Sequence, residues 1–327
     1  MVVPISIIIP IRNETPAVLE ELLVSLKRQT LLPQEVIFAE ADPMDGIDKT
    51  GTFIKNWWAC NAWKDGNCQV LPNPGVFPGA GRNVGISNAK GKWIAFLDVG
   101  IVPEPEWLKA LFDCVNVHQG EGVFGVCRFS GEGVIGRAAC ALSYGHGVIQ
   151  ENTLPGALFD RKVFAVDKEN VRLFRPDLRA AEDTIWKDNT HVKHVCREAV
   201  VHYTKFPNSV QEVLIKWFSY SSSQAKAGVS KGQQIAYSAC LCLFVAGALV
   251  NASVTMFVLG IYVVARGVLD PIRRSRSWHW WEGEPLALVA AVPLSLIMDI
   301  AKATGFLFGY AERVIGNRLT KADRASV

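Results

Sequence analysis

The chain has 327 residues, half of them hydrophobic, and its mean hydropathy is positive. That length holds one large domain plus an appendage, and the apolar excess argues against a purely soluble enzyme. The formal net charge of +3, with no dense Lys/Arg tract in the first two hundred residues, argues against nucleic-acid binding.

The eight cysteines show no zinc-type pairing with histidines along the sequence, and nothing in their spacing reads as a disulfide framework. This places the polar part of the chain in a reducing compartment. Cys240 and Cys242 fall inside an apolar run, where a cysteine acts as a small hydrophobe. The first residues are strand-like, so no cleavable signal peptide is expected.

Residues 2–10, VVPISIIIP, form a β-branched apolar run that fits a strand buried on both faces. Thr15 and Pro16 open a helix whose Leu19, Leu22, Leu23 and Leu26 share one side. Glu35–Glu40 is a second strand, followed by the acidic turn that holds Asp45 and Gly46. Gln69–Leu71 is a short third strand and Lys92–Asp98 a fourth. This spacing predicts right-handed βαβ crossovers and a mostly parallel sheet. Ligands bind at the carboxyl ends of such strands, and Glu40 and Asp98 both close strands, so both should face one crevice.

No charged residue occurs from Ile235 to Ala265, and the apolar run continues to Leu269 around Arg266. A membrane span needs about twenty residues, so this stretch is one span with overhang or two helices turning near Asn251. Arg273, Arg274 and Arg276 beside Trp278, Trp280 and Trp281 describe a headgroup-level segment on the cytoplasmic side. Leu286–Ala311 is a second apolar block, interrupted by Pro293, Asp299 and Lys302. It either packs on the first block or lies in the interface with its charges facing water.

The segment from Phe77 to Asp98, FPGAGRNVGISNAKGKWIAFLD, is the most informative. Its glycines lack dinucleotide-fingerprint spacing and do not follow the first strand. It does place Arg82 near a helix start, where a guanidinium suits a phosphate or a nucleobase carbonyl. Asp98 at a strand end suits a divalent cation on a diphosphate.

PISIIIPIRNE, the acidic turn with Asp45-Gly46, GAGRNVGISNAKGKWIAFLD, Ala181-Glu182-Asp183 and the late His202 occur in that order. Together they make residues 3–230 resemble the family 2 inverting glycosyltransferases of the GT-A fold. The resemblance implies a donor site of Pro10, Glu40, Asp45, Arg82 and Asp98, with Glu40 where the family has an Asp that contacts the base. It implies Asp183 as the catalytic base and Glu182 as a residue that orients the acceptor or caps a helix. Asp98 matches the first Asp of the family's Asp-X-Asp metal motif. Gly100 replaces the second, so Asp98, His202 and water would hold Mn²⁺ or Mg²⁺, or the ion is bound weakly or is not used. The QxxRW element of processive members is missing; SYSSSQ at 219–224 occupies that region.

The expected architecture is therefore α/β. A cytosolic GT-A catalytic domain with a mostly parallel sheet (1–231) precedes a helical membrane-anchoring region (232–315) and a polar tail (316–327). The expected activity is inverting, non-processive transfer from a nucleotide-sugar donor to a lipid-linked or glycan acceptor near membrane lipids, with no nucleic-acid partner. The alternative is a non-catalytic, membrane-associated protein that binds sugar nucleotides as a scaffold.

Overall fold

Ile5, Ile7, Ile8 and Ile9 are all fully buried, so successive side chains of one strand enter the core on both faces of a sheet. A computed structural model describes residues 2–41, 49–164, 173–229 and 249–325, with positions 232, 235, 236, 239, 243, 246 and 247 between. β1 (Val2–Ile11) runs parallel to β2 (Leu32–Ala41) and to β4 (Trp93–Phe96), and β2 runs parallel to β3 (Asn67–Asn73). The connections are α1 (Pro16–Lys27), α2 (Thr50–Asn61) and α3 (Pro78–Asn88). All four strands expected in this part of the sequence are present. Leu19, Leu22, Leu23 and Leu26 are all buried.

β5 (Ile101–Pro103), α4 (Trp107–His118), β6 (Gly122–Phe129), α5 (Gly133–Ser143) and β7 (Ile149–Asp160) follow. After them come α6 (Glu182–Asn189), β8 (Val195–Tyr203) and α7 (Val210–Ala227). The strand order is β3-β2-β1-β4-β7-β6-β8-β5. β6–β8 is parallel, whereas β7 runs antiparallel to β4 and β6, and β5 to β8. The fold is thus α/β with a mostly parallel sheet that turns mixed in its second half.

The chain forms two compact units. The first is Met1–Phe129, Ile149–Asp177 and Glu182–Thr204; the second is Ser130–Val148, Leu178–Ala181 and Lys205–Val327. In the first, one face of the sheet packs Ile5, Ile7 and Ile9 with the α1 leucines and Trp107. The other face packs Ile8, Ile37 and Phe96 with Phe159, Phe164, Phe174 and Trp186. Glu35, buried within β2, accepts from the Ser6 hydroxyl at 2.6 Å, Gln69 Nε2 at 2.9 Å and the Lys90 amide at 2.6 Å. These bonds compensate the carboxylate for lost water and pin β1, β2, β3 and the turn before β4 together.

The second unit contains α5, α7, α8 (Ala252–Val264), α9 (Asp270–Ser275) and α10 (Leu286–Ala325). Asn251 breaks the apolar run, and its side chain caps α8 by accepting from the Val254 amide at 3.1 Å. Two stretches of helix, Ala252–Ser275 and Leu286–Ile315, are long and apolar enough to cross a membrane. The charges that interrupt the apolar blocks are paired. Arg266 donates to both oxygens of Asp299, at 2.9 and 3.2 Å, and to Asp270 at 2.7 Å. Lys302 reaches Asp299 at 3.2 Å. Leu286, Val289, Ile300, Leu307, Phe308 and Ile315 remain exposed on α10, as do Val254, Phe257, Val258 and Ile261 on α8.

α10 packs on α7 through Gly305 and Gly309, four residues apart on one helix side. A Cβ at Gly309 would stand 2.2 Å from the Ser222 carbonyl oxygen, and one at Gly305 would stand 2.3 Å from that of Phe218. Backbone occupies both positions, so a side chain there forces the helices apart. Gly309→Val should therefore cost about 1–3 kcal/mol. A clearly lower unfolding temperature in detergent is the expected result, whereas Thr304→Val, at an exposed site on the same helix, should change little.

Candidate active site

The carboxyl ends of β2, β1 and β4 lie side by side because these strands are parallel neighbours in register. Pro10 is opposite Ala39, Ile11 opposite Glu40, and Ile8 opposite Phe96. Glu40 ends β2 and accepts from the Gly51 amide at 3.2 Å, at the start of α2. Asp45 lies outside the described residues.

α3 begins at Pro78, whose fixed φ suits the first helical turn. It then approaches its neighbours too closely for side chains at two glycines. A Cβ on Gly85 would meet Ile8 Cγ2 at 2.3 Å, and one on Gly79 would meet the Arg175 carbonyl oxygen at 2.4 Å. These glycines serve packing, and their effect is to seat Arg82 deep in the unit. Arg82 is only 2% exposed. Its Nη2 donates to Asp98 Oδ1 at 2.7 Å and its Nη1 to Glu182 Oε1 at 2.6 Å. Its guanidinium carbon lies 5.4 Å from the centre of the Phe174 ring. Burial alone would push the Arg82 pKa down, but the carboxylates of Asp98, Glu182 and Asp183 more than offset this and hold it above its ordinary value. Arg82 is therefore a fixed cation turned toward carboxylates.

Glu182 and Asp183 open α6, immediately after Ala181, which takes a left-handed φ of 76°. That conformation is costly for alanine and turns the chain sharply into the helix. Glu182 is buried against Arg82. Burial lifts its carboxyl above the usual range, Arg82 pulls it down, and the neighbouring Asp183 pushes it up again. Asp183 is partly exposed. Its Oδ1 accepts from the Thr184 amide at 2.7 Å, while Oδ2 sits 3.9 Å from Lys187 Nζ. Of this acidic pair, Glu182 is held by the protein and Asp183 is accessible.

Asp98 lies just beyond β4. Its Oδ1 is bonded to Arg82, and Oδ2 accepts no hydrogen bond from the described residues. Gly100 has φ +83°, in the left-handed region that glycine adopts at least cost. His202 on β8 is opposite Val102, and its Nε2 is 2.8 Å from Glu104 Oε1. It lines a cleft with Glu20, Glu21 and Arg28. Among the described residues, Asp98 belongs to no trio of closely spaced His, Cys, Asp or Glu ligand atoms. One open carboxylate oxygen suits a cation that takes most of its ligands from a diphosphate and water, the way Mg²⁺ is commonly held. It does not suit an all-protein cage.

Two contacts beside Arg82 have no counterpart among the expected site residues. Asn83 Nδ2 donates to the Phe174 carbonyl at 2.8 Å, and Asn83 Oδ1 accepts from the Phe174 amide at 3.0 Å. This reciprocal pair fastens the segment at Phe174 to α3 and lays its ring beside Arg82. The only sequence signal is the adjacency of Arg82 and Asn83.

Residues 6–156, just under half of the chain, match the sequence model described as Glycosyl transferase family 2. No curated protein matches the chain. Among solved structures, mannosyltransferase PcManGT from Pyrobaculum calidifontis, in complex with GDP-Man and Mn²⁺, is similar at 15% identity and TM-score 0.52, over 93% of this chain and 87% of that one. S. aureus TarS 1–349 with UDP aligns over 95% of this chain and 91% of that chain, at 19% identity and TM-score 0.44. The TarS complex with UDP-GlcNAc aligns over 95% and 92%, at 15% identity and TM-score 0.47. At these identities the likeness is one of fold, and it is carried by the mannosyltransferase.

The Arg82 ion pairs should contribute strongly to stability. Arg82→Met removes the cation and leaves Glu182 buried without its counter-charge, a loss that typically costs about 3–5 kcal/mol. Because Asp98 is partly solvated, the lower end of that range is expected, read as a drop in denaturation midpoint. Lys187→Met, at the solvated edge of α6, should shift it by less than about 1 kcal/mol.

Proposed function

With residues 6–156 matched to glycosyl transferase family 2 as the premise, we propose that the chain is an inverting, non-processive glycosyltransferase. A catalytic domain over 1–231 is tethered to the bilayer by 232–315. The observation that carries this reading is the convergence at Arg82. One buried guanidinium joins Asp98, at the end of a parallel strand, to Glu182, which precedes the accessible Asp183. Three separated motifs of the sequence thereby meet near the carboxyl ends of the parallel strands, where α/β folds bind ligands.

In this mechanism Asp183 accepts the proton of the acceptor hydroxyl through Oδ2, since Oδ1 is occupied by the Thr184 amide. The deprotonating oxygen attacks the anomeric carbon, the bond to the donor diphosphate breaks on the opposite face, and the configuration inverts. Glu182 holds no proton in this scheme. It anchors the start of α6, so that the Asp183 carboxylate stays where the hydroxyl arrives. Glu40 and Pro10, at the ends of β2 and β1, serve the donor side, and Asp45 is assigned to it by its place in the sequence alone. Asp98 is the side chain that would hold a divalent cation, while His202, the second ligand expected from the sequence, is engaged with Glu104. When bound, Mn²⁺ or Mg²⁺ neutralises charge on the leaving diphosphate. The fold shared with a mannosyltransferase in complex with GDP-Man and Mn²⁺ supports a nucleotide-sugar donor and such an ion.

The anchor gives the site a physical advantage. A tethered enzyme meets a lipid-linked acceptor at an effective concentration far above its bulk value. The charge pattern puts Arg273, Arg274 and Arg276 on the cytosolic side, where sugar nucleotides are made. The rival, a scaffold that binds sugar nucleotides without turnover, draws its support from Gly100 in place of a second carboxylate.

Purified chain in detergent, offered labelled nucleotide sugars with Mn²⁺ or Mg²⁺, separates the two: transfer or donor hydrolysis is expected, and binding without turnover across donors would establish the scaffold. Asp183→Asn keeps shape but cannot take the proton, so turnover should fall by about 10²–10⁴-fold with donor affinity nearly unchanged. Near-normal turnover in that variant would remove Asp183 from the role of base. For the anchor, His279→Cys, exposed in the turn after α9, should resist an impermeant thiol reagent in intact cells and react after permeabilisation.

A further inference from the structure

Two elements of the first unit bring soft metal ligands together away from the proposed active site. On α4, Cys114 and His118 are four residues apart and therefore on one helix side. On the extended chain entering β8, His194 and Cys196 are two apart and leave on one side. α4 packs on β8, and the pairs meet. The His118 and His194 rings stack with centroids 5.1 Å apart and planes 10° apart. One sulfur from each element and the Glu198 carboxylate lie within 4.8 Å of one another. Cys196 Sγ is 3.4 Å from the Ala110 carbonyl oxygen and 3.6 Å from Glu198 Oε2.

From this geometry we infer that Cys114, Cys196 and Glu198 form a zinc site that clamps α4 to β8. In a tetrahedral Zn²⁺ site with Zn–S bonds of about 2.3 Å, ligand atoms lie roughly 3.5–4 Å apart. The three atoms here need to close by about 1 Å or less, which side-chain rotation supplies. Two thiolates and a carboxylate neutralise the ion and leave one excess negative charge. The fourth position is filled by water or by one imidazole of the stacked His118–His194 pair. Binding releases the two thiol protons to solvent, with no change of oxidation state. Burial is graded across the site, from Cys196, which is buried, through half-buried Cys114 to exposed Glu198, so the ion has an entry path from solvent. The chemistry selects zinc over Mg²⁺ or Mn²⁺, which favour all-oxygen sets. The clamp joins residues 114 and 196 across 82 positions of chain. It thereby braces β8, the strand that carries His202, without contributing a group to the transfer reaction.

The test uses the full chain in detergent, reduced, loaded with Zn²⁺ and passed over a chelating resin, with retained metal measured by mass spectrometry. Wild type and Asp98→Asn should both keep about one zinc per chain, which separates this site from the cation proposed at Asp98. Removing a mere supporting partner of a metal site costs about 10–100-fold in affinity, so Cys114→Ser and Cys196→Ser should lose at least that much. With Co²⁺ instead, wild type should show a thiolate-to-metal charge-transfer band that both variants lack. Zn²⁺ should raise the unfolding temperature of wild type and not of Cys114→Ser, while transfer activity remains in both. Cys196 is buried, so if its variant misfolds, Cys114→Ser and Glu198→Gln at the accessible side decide the matter. The inference is overturned if wild type keeps no more zinc than Cys114→Ser or if the Co²⁺ band survives in that variant. A Cys114–Cys196 disulfide found as the resting state in protein alkylated at lysis would overturn it too.

Discussion

A guanidinium removed from water is tolerable only where carboxylates and hydrogen bonds replace its hydration, and the first unit is organised around one such group. Arg82 is held by Asp98 from the end of β4 and by Glu182 from the start of α6. Its seat exists because α3 lies on β1 at glycine distance. Its flank exists because Asn83 ties the Phe174 segment to the same helix. The arrangement is not fully satisfied: Arg82 Nε and Glu182 Oε2 are buried without hydrogen-bond partners among the described residues. Polar atoms left in that state cost stability, and the protein keeps them at the place where its motif segments converge. Together with the left-handed Ala181, they mark a locally strained, over-determined neighbourhood.

The second unit solves the same electrostatic problem in apolar surroundings. Arg266, Asp270, Asp299 and Lys302 interrupt long apolar stretches of helix, and they pair with one another. This sequestration gives α10 two different sides. One packs on α7 through Gly305 and Gly309, and the other carries Leu286, Val289, Ile300, Leu307 and Phe308 to the surface. An apolar stripe of this length beside the exposed face of α8 is the kind of surface a bilayer covers.

Much of this was legible in the sequence by itself. The β-branched run of β1, the leucine spacing of α1 and the strand ending in Asp98 are local patterns, and local patterns are set by residues a few positions apart. The order of the motifs carries the resemblance to family 2 glycosyltransferases, and the uncharged stretch with its break at Asn251 announces the apolar helices. What the sequence could not decide is where distant side chains point. Arg82 near a helix start reads as a phosphate ligand, and only the packing of α3, β4 and α6 shows it turned to Asp98 and Glu182. Glu35 reads as an ordinary strand residue until the fold encloses it with Ser6, Gln69 and Lys90. Asp299 and Lys302 fit either a helix packed on the first apolar block or one with its charges facing water, and the tertiary structure pairs Asp299 with both Arg266 and Lys302. Cys114 and Cys196 look unrelated because no periodicity links residues 82 positions apart; only the docking of a helix on a strand makes them neighbours. Short-range order follows from backbone sterics and side-chain periodicity, whereas the pairing of buried charges is decided by which surfaces the whole chain can bury together.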